Sequence, residues 1–263
     1  MSSKPSFTVV VPSFNQGQFI GQTIHSILNQ KDVDVRVLVF DAKSMDETLK
    51  ILRSYGDAIE WKSEKDRGQS DAINKGINVT LQARKVENHF FAYLNSDDFY
   101  YPGALKKVAD ELTRNPSKSW LVGECEIVNE QGQQIQSFIK VYKAFWRKIL
   151  TWPILLILNP IPQPAVFIRV SAVKEVGLLT EELQYVMDYE YWLRFWKQLG
   201  KPLVINQVLA AFRIHQTSKG STGYSLQFAE QLLVAKKFTQ NQTILFLQKM
   251  HNRLIIALYK LLK

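Results

Sequence analysis

The first 120 residues alternate between short apolar runs and segments in which apolar side chains recur every three or four positions. The apolar runs have the length and composition of buried strands, and they lie at residues 7–11, 33–40, 58–62 and 89–94. The helical spacing predicts helices at residues 20–28, 45–54, 70–80 and 102–114. This alternation is typical of an α/β fold, in which helices cover both faces of a Rossmann-like, mostly parallel sheet.

The pattern changes after residue 120. Two stretches, 120–129 and 134–142, flank the polar residues 130–133 and predict a hairpin. The elements predicted beyond it are a proline-broken apolar segment at 145–164, a strand at 165–169, and helices at 189–199 and 244–263. A chain of 263 residues suits one large domain, or one domain with an appendage.

Polar side chains follow each of the four predicted strands. They lie at residues 13–15, at Asp41, at residues 64–67 and at residues 95–98. Because the carboxyl ends of parallel strands meet at one edge of such a sheet, we expect a site at that edge. The last cluster contains two adjacent carboxylates, Asp97 and Asp98, whose repulsion is relieved either in a solvated turn or by a bound cation.

Composition narrows the class of protein. Hydrophobic residues make up 46% of the chain, enough for a substantial core, and the net charge of +9 favours anionic partners. No zinc-finger, RNP-like or basic-helix pattern accompanies that charge, so we do not expect nucleic acid to bind.

The single cysteine, Cys125, excludes an internal disulfide and favours a reducing compartment. Neither a signal peptide nor an apolar segment of roughly 20 residues is visible, which predicts a cytoplasmic protein.

Four motifs occur in the order VVVPSFNQGQFIGQTIHSILNQ, SEKDRGQSDAINKGI, YLNSDDFYYPGAL and MDYEYWLRF. Together they resemble the family 2 glycosyltransferases, from about residue 6 to about residue 220. The resemblance implies the GT-A fold and sugar transfer from a nucleotide-diphosphate sugar. It also implies a donor half at residues 1–120, an acceptor half at residues 121–220, and a C-terminal helical extension at residues 221–263.

The third motif carries the expected metal site. The family's Asp-x-Asp motif aligns with Asn95-Ser96-Asp97. The alignment makes Asp97 the expected ligand of Mg²⁺ or Mn²⁺. Asn95 and Ser96 are expected to bind the donor. Asp98 is expected to hold a sugar hydroxyl or a backbone amide, or else to lie in a solvated turn near the next helix start. His215 lies in a segment that resembles the family's Arg-x-His loop, and it is expected to ligate the metal or contact the diphosphate.

The remaining donor-binding residues lie at the first three strand ends. Asp41 is expected to accept a hydrogen bond from the base or the ribose, and Phe14 to stack on the base or else only secure its loop. Residues 64–71 combine charge with a helix start, whose free N–H groups favour phosphate; a solvated charge run or a helix cap is the alternative. The set that the resemblance implies is Pro12, Phe14, Asn15, Asp41, Asp66, Arg67 and Asp71.

The fourth motif supplies the expected catalytic base. In the resembling family this base is the Asp of a Glu-Asp pair at a helix start; here Met187 replaces the Glu and Asp188 matches the Asp. A carboxylate near the acceptor can deprotonate the attacking hydroxyl. The alternatives are that Asp188 caps the helix and that Glu190 is the base. Gln163 is a further candidate for contact with the acceptor.

Two basic, apolar segments remain, at residues 142–158 and 244–263. They predict either helices packed on the domain or peripheral contact with an anionic membrane surface. The second possibility would suit a lipid-linked acceptor.

The leading interpretation is an inverting glycosyltransferase that uses a UDP-sugar in polysaccharide or lipid-linked glycan synthesis. One alternative is a non-catalytic, membrane-associated module that binds nucleotide-sugars on the same fold. A sugar-phosphate nucleotidyltransferase would need a Gly-rich basic loop near residue 12, where this chain has PSFNQGQFIG. A glycoside hydrolase with Asp97 and Asp188 as its carboxylates would leave the donor-side motifs unexplained.

Overall fold

The computed structural model describes residues 4–83, 88–215 and 224–261. Strands within these residues are β1 Ser6–Ser13, β2 Asp34–Asp41, β3 Glu60–Ser63, β4 His89–Tyr93, β5 Phe99–Tyr100, β6 Trp120–Val128, β7 Gln134–Ile135, β8 Val166–Arg169 and β9 Leu203–Arg213. Helices are α1 Ile20–Leu28, α2 Thr48–Ser54, α3 Gln69–Gln82, α4 Ala104–Arg114, α5 Ser137–Lys148, α6 Trp152–Leu158, α7 Val170–Val176, α8 Met187–Leu199, α9 Tyr224–Phe238 and α10 Gln242–Leu261.

The strands form one sheet in the order β3-β2-β1-β4-β8-β6-β9-β5, with β7 paired to β6. The first four strands of that order are mutually parallel, as the strand–helix alternation predicted. Strand β8 is antiparallel to both of its neighbours, whereas β6 and β9 are parallel. The predicted α/β class is therefore confirmed, and the sheet is mixed: four amino-terminal strands are parallel, and the second half contains both parallel and antiparallel pairs.

The pairing register brings the predicted polar clusters to one edge. Ser13 at the end of β1 pairs with Asp41 at the end of β2, and Asp41 pairs in turn with Ser63 at the end of β3. Strand β4 lies on the other side of β1, with Tyr93 opposite Val10. The loops that follow all four strands therefore share the carboxyl edge of the sheet.

Alternation along β1 explains how both faces of the sheet are covered. Val10 belongs to the core beneath α3 and α8, whereas Val9 and Val11 belong to the core beneath α1 and α4. Successive side chains of a strand point to opposite faces, so a run of apolar residues fills both cores. The uninterrupted apolar run of this strand is the pattern expected of a buried parallel strand.

The predicted hairpin after residue 120 is only partly correct. Its second strand is limited to β7, and the residues from 137 onward form α5 instead. Phe138, Val141, Tyr142 and Phe145 recur at three- and four-residue spacing, so this segment carries helical periodicity rather than strand alternation. Strand β9 had no counterpart among the predicted elements, yet it supplies the neighbour of β6.

The C-terminal helices pack on the domain. The side-chain amide of Gln248, which is fully buried in α10, donates a 2.8 Å hydrogen bond to the Leu156 carbonyl of α6. Glu230 of α9 accepts the N–H groups of Tyr185 and Val186 at 2.7 and 3.0 Å. The extension therefore supports the segment that leads into α8. Within the described part of the chain, no helix is both long enough and apolar enough to cross a bilayer.

Helix α3 approaches β1 so closely that Gly76 has no room for a side chain. A Cβ atom at Gly76 would lie 2.3 Å from Cγ2 of Val10. We expect Gly76→Ala to lower the free energy of unfolding by about 1–3 kcal/mol, because the helix must shift from the sheet. Urea denaturation measures this change.

Gly21 in α1 is the matched control, because a Cβ atom there would have no neighbour nearer than 3.8 Å. Gly21→Ala is expected to leave stability unchanged or raise it by up to ~1 kcal/mol, since alanine is the better helix former. Equal destabilisation by the two substitutions would contradict the close packing of α3 on β1.

Candidate functional site

The loop after β1 is held by the loop after β2. The N–H of Asn15 donates to Ser44 Oγ at 2.7 Å, and the N–H of Gly17 donates to Asp46 Oδ2 at 2.8 Å. Asn15 adopts a positive φ of 52°, and the neighbouring Phe14 is 56% exposed. The predicted stacking residue therefore projects from a fixed loop with its ring open to a ligand.

Asp41 connects the loop after β2 to the end of β3. Its Oδ2 accepts the N–H of Ser44 at 3.0 Å and the hydroxyl of Ser63 at 2.6 Å, and its Oδ1 accepts the hydroxyl of Ser44. A carboxylate offers about four acceptor positions, so one remains for a ligand. The predicted contact with a base or ribose stays a prediction. Asp46 accepts the N–H of Thr48, the first residue of α2, at 3.0 Å.

The third cluster surrounds the start of α3. Asp66 accepts the Gly68 N–H at 3.0 Å, and Gly68 has a φ of 114° that suits glycine. Arg67 pairs with Asp71 at 2.9 Å and with Glu181 at 2.7 Å. Burial opposes ionisation of Asp71, but hydrogen bonds from Arg67 hold the pKa of this carboxyl below its ordinary value. Arg67 and Asp71 are therefore paired with each other, whereas Asp66 is bound to a backbone amide.

Asp98 is the structural carboxylate of the fourth cluster. It is 0% exposed, and its Oδ1 accepts the N–H of Arg213 at 2.8 Å. Asp98 was predicted to hold either a sugar hydroxyl or a backbone amide, and the structure shows the contact with a backbone amide. Burial and the neighbouring charge of Asp97 raise its pKa well above the ordinary value. The Thr23 hydroxyl donates to the carbonyls of Ser96 and Asp98 at 2.9 and 2.7 Å, which fixes the turn on α1.

Asp97 and His215 lie side by side, as the metal prediction requires. Asp97 Oδ2 is 2.9 Å from Nε2 of His215, whose ring centroid lies 4.8 Å from that of Phe19. Carboxylate oxygen and imidazole nitrogen both ligate Mn²⁺, and Mg²⁺ typically keeps waters and takes phosphate oxygens. In the described ranges no three His, Cys, Asp or Glu side chains gather as a metal site. The pair therefore fits an incomplete coordination shell that a diphosphate and water would complete.

Arg213 is the Arg of the Arg-x-His segment that contains His215, and the sequence predicted no contact of its own for it in this site. Its Nε donates to the Asp97 carbonyl at 2.8 Å, and its other nitrogens donate to the Glu130 carbonyl at 2.6 Å and to Gln22 at 2.5 Å. The guanidinium also lies over the Phe19 ring, 4.8 Å from its centroid. Arg213 thus connects β9, the turn after β6 and α1 around Asp97. The spacing of Arg213 and His215 was the available signal, but it did not indicate that the guanidinium would contact the Asp97 backbone.

Asp188 lies in the first turn of α8. Its Oδ1 accepts the Tyr189 N–H at 2.7 Å. Burial raises the pKa of Asp188 above the ordinary value, and the positive charge of Lys143 on α5 acts in the opposite direction. The pKa of Lys143 is in turn lowered by burial and by Arg147. Lys143 makes no hydrogen bond or ion pair with the residues that the structure describes.

Glu190, the alternative base, is already occupied. Its Oε1 lies 2.8 Å from Nε of Arg194, and its Oε2 accepts the Thr180 hydroxyl at 3.2 Å. The carboxylate therefore connects α8 to the segment after α7. This arrangement leaves Asp188 as the carboxylate of α8 that can serve as a base.

Three buried polar atoms near Asp188 have no partner among the described residues: Tyr93 Oη, Gln163 Oε1 and Trp192 Nε1. Gln163 donates to the Tyr93 carbonyl at 2.7 Å, and the Tyr93 and Trp192 rings stack at 6.4 Å. Burial and the charge of Asp188 raise the pKa of Tyr93 well above the ordinary value. Buried polar atoms are normally hydrogen-bonded, so water or a ligand hydroxyl would satisfy this group.

The start of α3 brings the donor-side and acceptor-side residues together. The Gln69 amide donates to Asn95 Oδ1 at 2.6 Å, and the Ser70 hydroxyl contacts Sδ of Met187 at 2.7 Å. One helix start therefore touches both the turn that carries Asp97 and the residue that precedes Asp188. The clusters that the sequence placed at one edge do converge in space.

The family model described as Glycosyl transferase family 2 matches residues 8–174. An uncharacterized glycosyltransferase of Rickettsia typhi is 25% identical over 253 residues, which are 94% of this chain and 77% of that protein. Another from Haemophilus influenzae is 24% identical over 258 residues, which are 95% of this chain and 76% of that protein. The matched span runs from β1 into α7, so it contains the turn that carries Asp97 but stops before Asp188.

Two solved structures share the architecture. Staphylococcus aureus TarS in complex with UDP-GlcNAc matches with a TM-score of 0.68 at 19% identity, over 90% of this chain and 67% of that chain. The mannosyltransferase PcManGT from Pyrobaculum calidifontis, in complex with GDP-Man and Mn²⁺, matches with a TM-score of 0.71 at 14% identity, over 95% of this chain and 70% of that chain. These likenesses show the GT-A fold, and the family model covers well over half of the residues. The chain belongs to glycosyl transferase family 2.

Proposed function

We propose that this chain transfers a sugar with inversion from a nucleotide-diphosphate sugar, with UDP as the expected nucleotide, to an acceptor hydroxyl. The observation that carries the proposal is the contact of one helix start, α3, with both the Asn95 turn and Met187. A donor held at the first contact would present its anomeric carbon toward the second. TarS was solved with UDP-GlcNAc, and glucosyl-3-phosphoglycerate synthase of Mycobacterium tuberculosis with UDP and Mn²⁺, which supports this donor class.

On the donor side, Phe14 stacks on the base, and Asp41 uses its remaining acceptor position for the base or the ribose. Pro12, Asn15, Asn95 and Ser96 shape the loops around them. No side chain of the described residues caps α3, so its first N–H groups are available to the diphosphate. Asp66 holds that helix start through the Gly68 N–H, and Arg67 holds it through its ion pair with Asp71.

Asp97 and His215 would hold Mg²⁺ or Mn²⁺. When bound, the cation would stabilise the negative charge that develops on the departing diphosphate. PcManGT was solved with Mn²⁺, which supports a divalent cation in this proposal. Arg213 holds the Asp97 backbone through its carbonyl, which leaves the Asp97 carboxylate available to the cation.

On the acceptor side, Asp188 takes the proton of the attacking hydroxyl. The acceptor oxygen forms a bond to the anomeric carbon as the bond from that carbon to the diphosphate breaks, and the nucleoside diphosphate departs. Gln163 is the proposed contact for the acceptor; its Oε1, like Tyr93 Oη and Trp192 Nε1, has no hydrogen-bond partner among the described residues. We propose a glycan or lipid-linked acceptor in the cytoplasm, with residues 1–120 as the donor half, 121–220 as the acceptor half and 221–263 as the extension.

The test is turnover of UDP-, GDP-, dTDP- and CDP-sugars, measured as release of the nucleoside diphosphate with Mn²⁺ and with EDTA. We expect one nucleotide class to be turned over, faster with Mn²⁺ than with EDTA. Binding of a nucleotide-sugar without any turnover, in the presence of glycan and lipid-linked acceptors, would instead identify a non-catalytic binding module.

The acid limb of the pH–rate profile is expected to depend on Lys143. A general base acts only when deprotonated, and burial raises the pKa of Asp188, so transfer is lost at a pH above the ordinary aspartate value. Lys143→Gln removes the positive charge that opposes this rise, and the acid limb of kcat should therefore move to higher pH. Lys148→Gln, at the exposed end of the same helix, is the control and should leave the profile unchanged. An acid limb that stays in place in Lys143→Gln would contradict this electrostatic link.

A further inference from the structure

Helices α5, α6 and α10 form an outer surface that we call the basic apolar face. Nine of the fourteen exposed large hydrophobic side chains of the described residues lie on it: Phe138, Val141, Tyr142, Phe145, Ile149, Phe246, Leu247, Met250 and Leu254. On α5 and α10 they recur at three- and four-residue spacing, so each helix presents one apolar stripe. Exposed apolar side chains in such a concentration mark an interaction surface.

The three helices form one continuous surface rather than separate patches. The Tyr142 hydroxyl of α5 lies 3.0 Å from Nε2 of His251 on α10, and the two rings are nearly parallel. Between the helices runs an apolar groove of about 500 Å³. It is lined by Trp146, Ile154, Ile157, Leu158, Leu247, Met250, His251 and Leu254. The groove has the size of a pocket for a small apolar ligand, about 300–1,000 Å³.

The charge of this face has one sign. Neither residues 137–174 nor residues 231–263 contain an aspartate or glutamate. Lys148, Lys249 and Arg253 are exposed on the helices of the face, and none forms an ion pair with a residue that the structure describes. The face therefore offers unpaired positive charge around an apolar surface. This combination is complementary to a layer of anionic headgroups over hydrocarbon.

A second copy of the chain is a poor partner for the same face. A two-fold contact would bring the face against itself, so positive residues would meet positive residues without an intervening carboxylate. An anionic bilayer satisfies both the charge and the apolar stripes.

We propose that the basic apolar face binds the surface of an anionic phospholipid bilayer, with a lipid hydrocarbon chain in the groove between α5, α6 and α10. Helix α5 carries this face on one side and Lys143, which acts on Asp188, on another. A lipid-linked acceptor would then reach Asp188 from the bilayer; only this last step depends on the proposed function.

Co-sedimentation with vesicles tests the proposal without any substrate. Wild-type protein should bind vesicles of phosphatidylcholine mixed with phosphatidylglycerol, bind pure phosphatidylcholine vesicles much less, and lose affinity as salt is added. Asp188→Asn should bind like wild type, so a failure of transfer and a failure of membrane binding are distinguishable. Equal binding to both kinds of vesicle, or to neither, would overturn the proposal.

Matched variants locate the surface. Each basic residue near an anionic surface contributes about a fivefold change in partition, so Lys249→Gln with Arg253→Gln should weaken binding roughly 25-fold. Lys50→Gln with Arg53→Gln, on exposed α2, is the control and should have no effect. If both double variants bind vesicles equally strongly, the membrane-binding surface does not lie on the basic apolar face.

A second pair of variants tests how much the apolar side chains contribute to vesicle binding. Leu254→Ser, at a side chain that is 59% exposed, should weaken binding without lowering the melting temperature. Leu178→Ser, at an exposed leucine outside the face, should not weaken it. If light scattering instead finds a wild-type dimer that Leu254→Ser converts to a monomer, the occupant is a second copy and the membrane proposal is wrong.

Discussion

Asp188→Asn is expected to lower the rate of sugar transfer by about 10²–10⁴-fold, because it removes the group that deprotonates the acceptor while keeping its shape. Donor binding should persist, since the donor-side residues lie on the other side of the α3 start. Transfer kinetics measure the first effect, and binding of the nucleoside diphosphate measures the second. Near-normal turnover in this variant would show that another group is the base.

The same variant is expected to be more stable than wild type at pH 8. Burial raises the pKa of Asp188 in the folded state, so the charged form is disfavoured there and destabilises the fold at high pH. Asparagine removes that charge, and the gain in melting temperature should shrink as the pH falls through the folded pKa toward the ordinary aspartate value, ~3.9. Thermal unfolding of both proteins at several pH values measures this difference in melting temperature.

Glu190→Gln, two residues further along α8, is the matched control. Its carboxylate pairs with Arg194 and accepts a hydrogen bond from Thr180. Removal of that charge should lower the melting temperature and leave most of the transfer activity. The opposite result, with Glu190→Gln inactive and Asp188→Asn active, would exchange the two roles.

The second large effect is expected for Asp97→Asn. Loss of the carboxylate should remove the Mn²⁺-dependent part of transfer, a decrease of about 10²-fold or more, because a bound cation contributes several kcal/mol to charge stabilisation. The fold should persist, since Arg213 contacts the backbone carbonyl of Asp97 rather than its side chain. Transfer rates titrated with Mn²⁺ measure the effect.

Two further variants test whether the Mn²⁺ response depends on this site. His215→Ala should weaken the response to Mn²⁺ in the same direction, because its Nε2 lies beside the same carboxylate oxygen. Asp57→Asn, at an exposed carboxylate in a remote turn, should leave the response unchanged. An unaltered Mn²⁺ response in Asp97→Asn would remove this residue from the proposed cation site.

The parallel half of the fold was predictable because its central strands, β1 and β4, are buried on both faces, although the edge strand β3 is partly exposed. Uninterrupted apolar runs such as the one in β1 separate clearly from the helical spacing of α1 and α3, and polar residues follow each run directly. The convergence of those polar residues is then a consequence of parallel pairing. The second half could not be derived in this way, because β6, β8 and β9 follow no regular alternation with helices.

Within the site, residue types alone do not distinguish the adjacent carboxylates Asp97 and Asp98, and the resemblance was needed to assign only Asp97 to the metal. In the structure, Asp97 lies beside His215, and Asp98 is buried against the Arg213 backbone. That difference depends on β9, a strand more than 100 residues away that the apolar pattern alone did not reveal. The support of α8 by Glu230 likewise depends on a contact between distant segments.

The most direct test of the account is calorimetric titration of UDP, in Mn²⁺ and in EDTA, into wild type, Asp97→Asn and Asp188→Asn. The account predicts equal, Mn²⁺-dependent affinity for wild type and Asp188→Asn, and an affinity about 10²-fold weaker for Asp97→Asn in Mn²⁺ only. Loss of UDP affinity in Asp188→Asn, with full Mn²⁺-dependent affinity in Asp97→Asn, would contradict the division of the site into a donor side and an acceptor side.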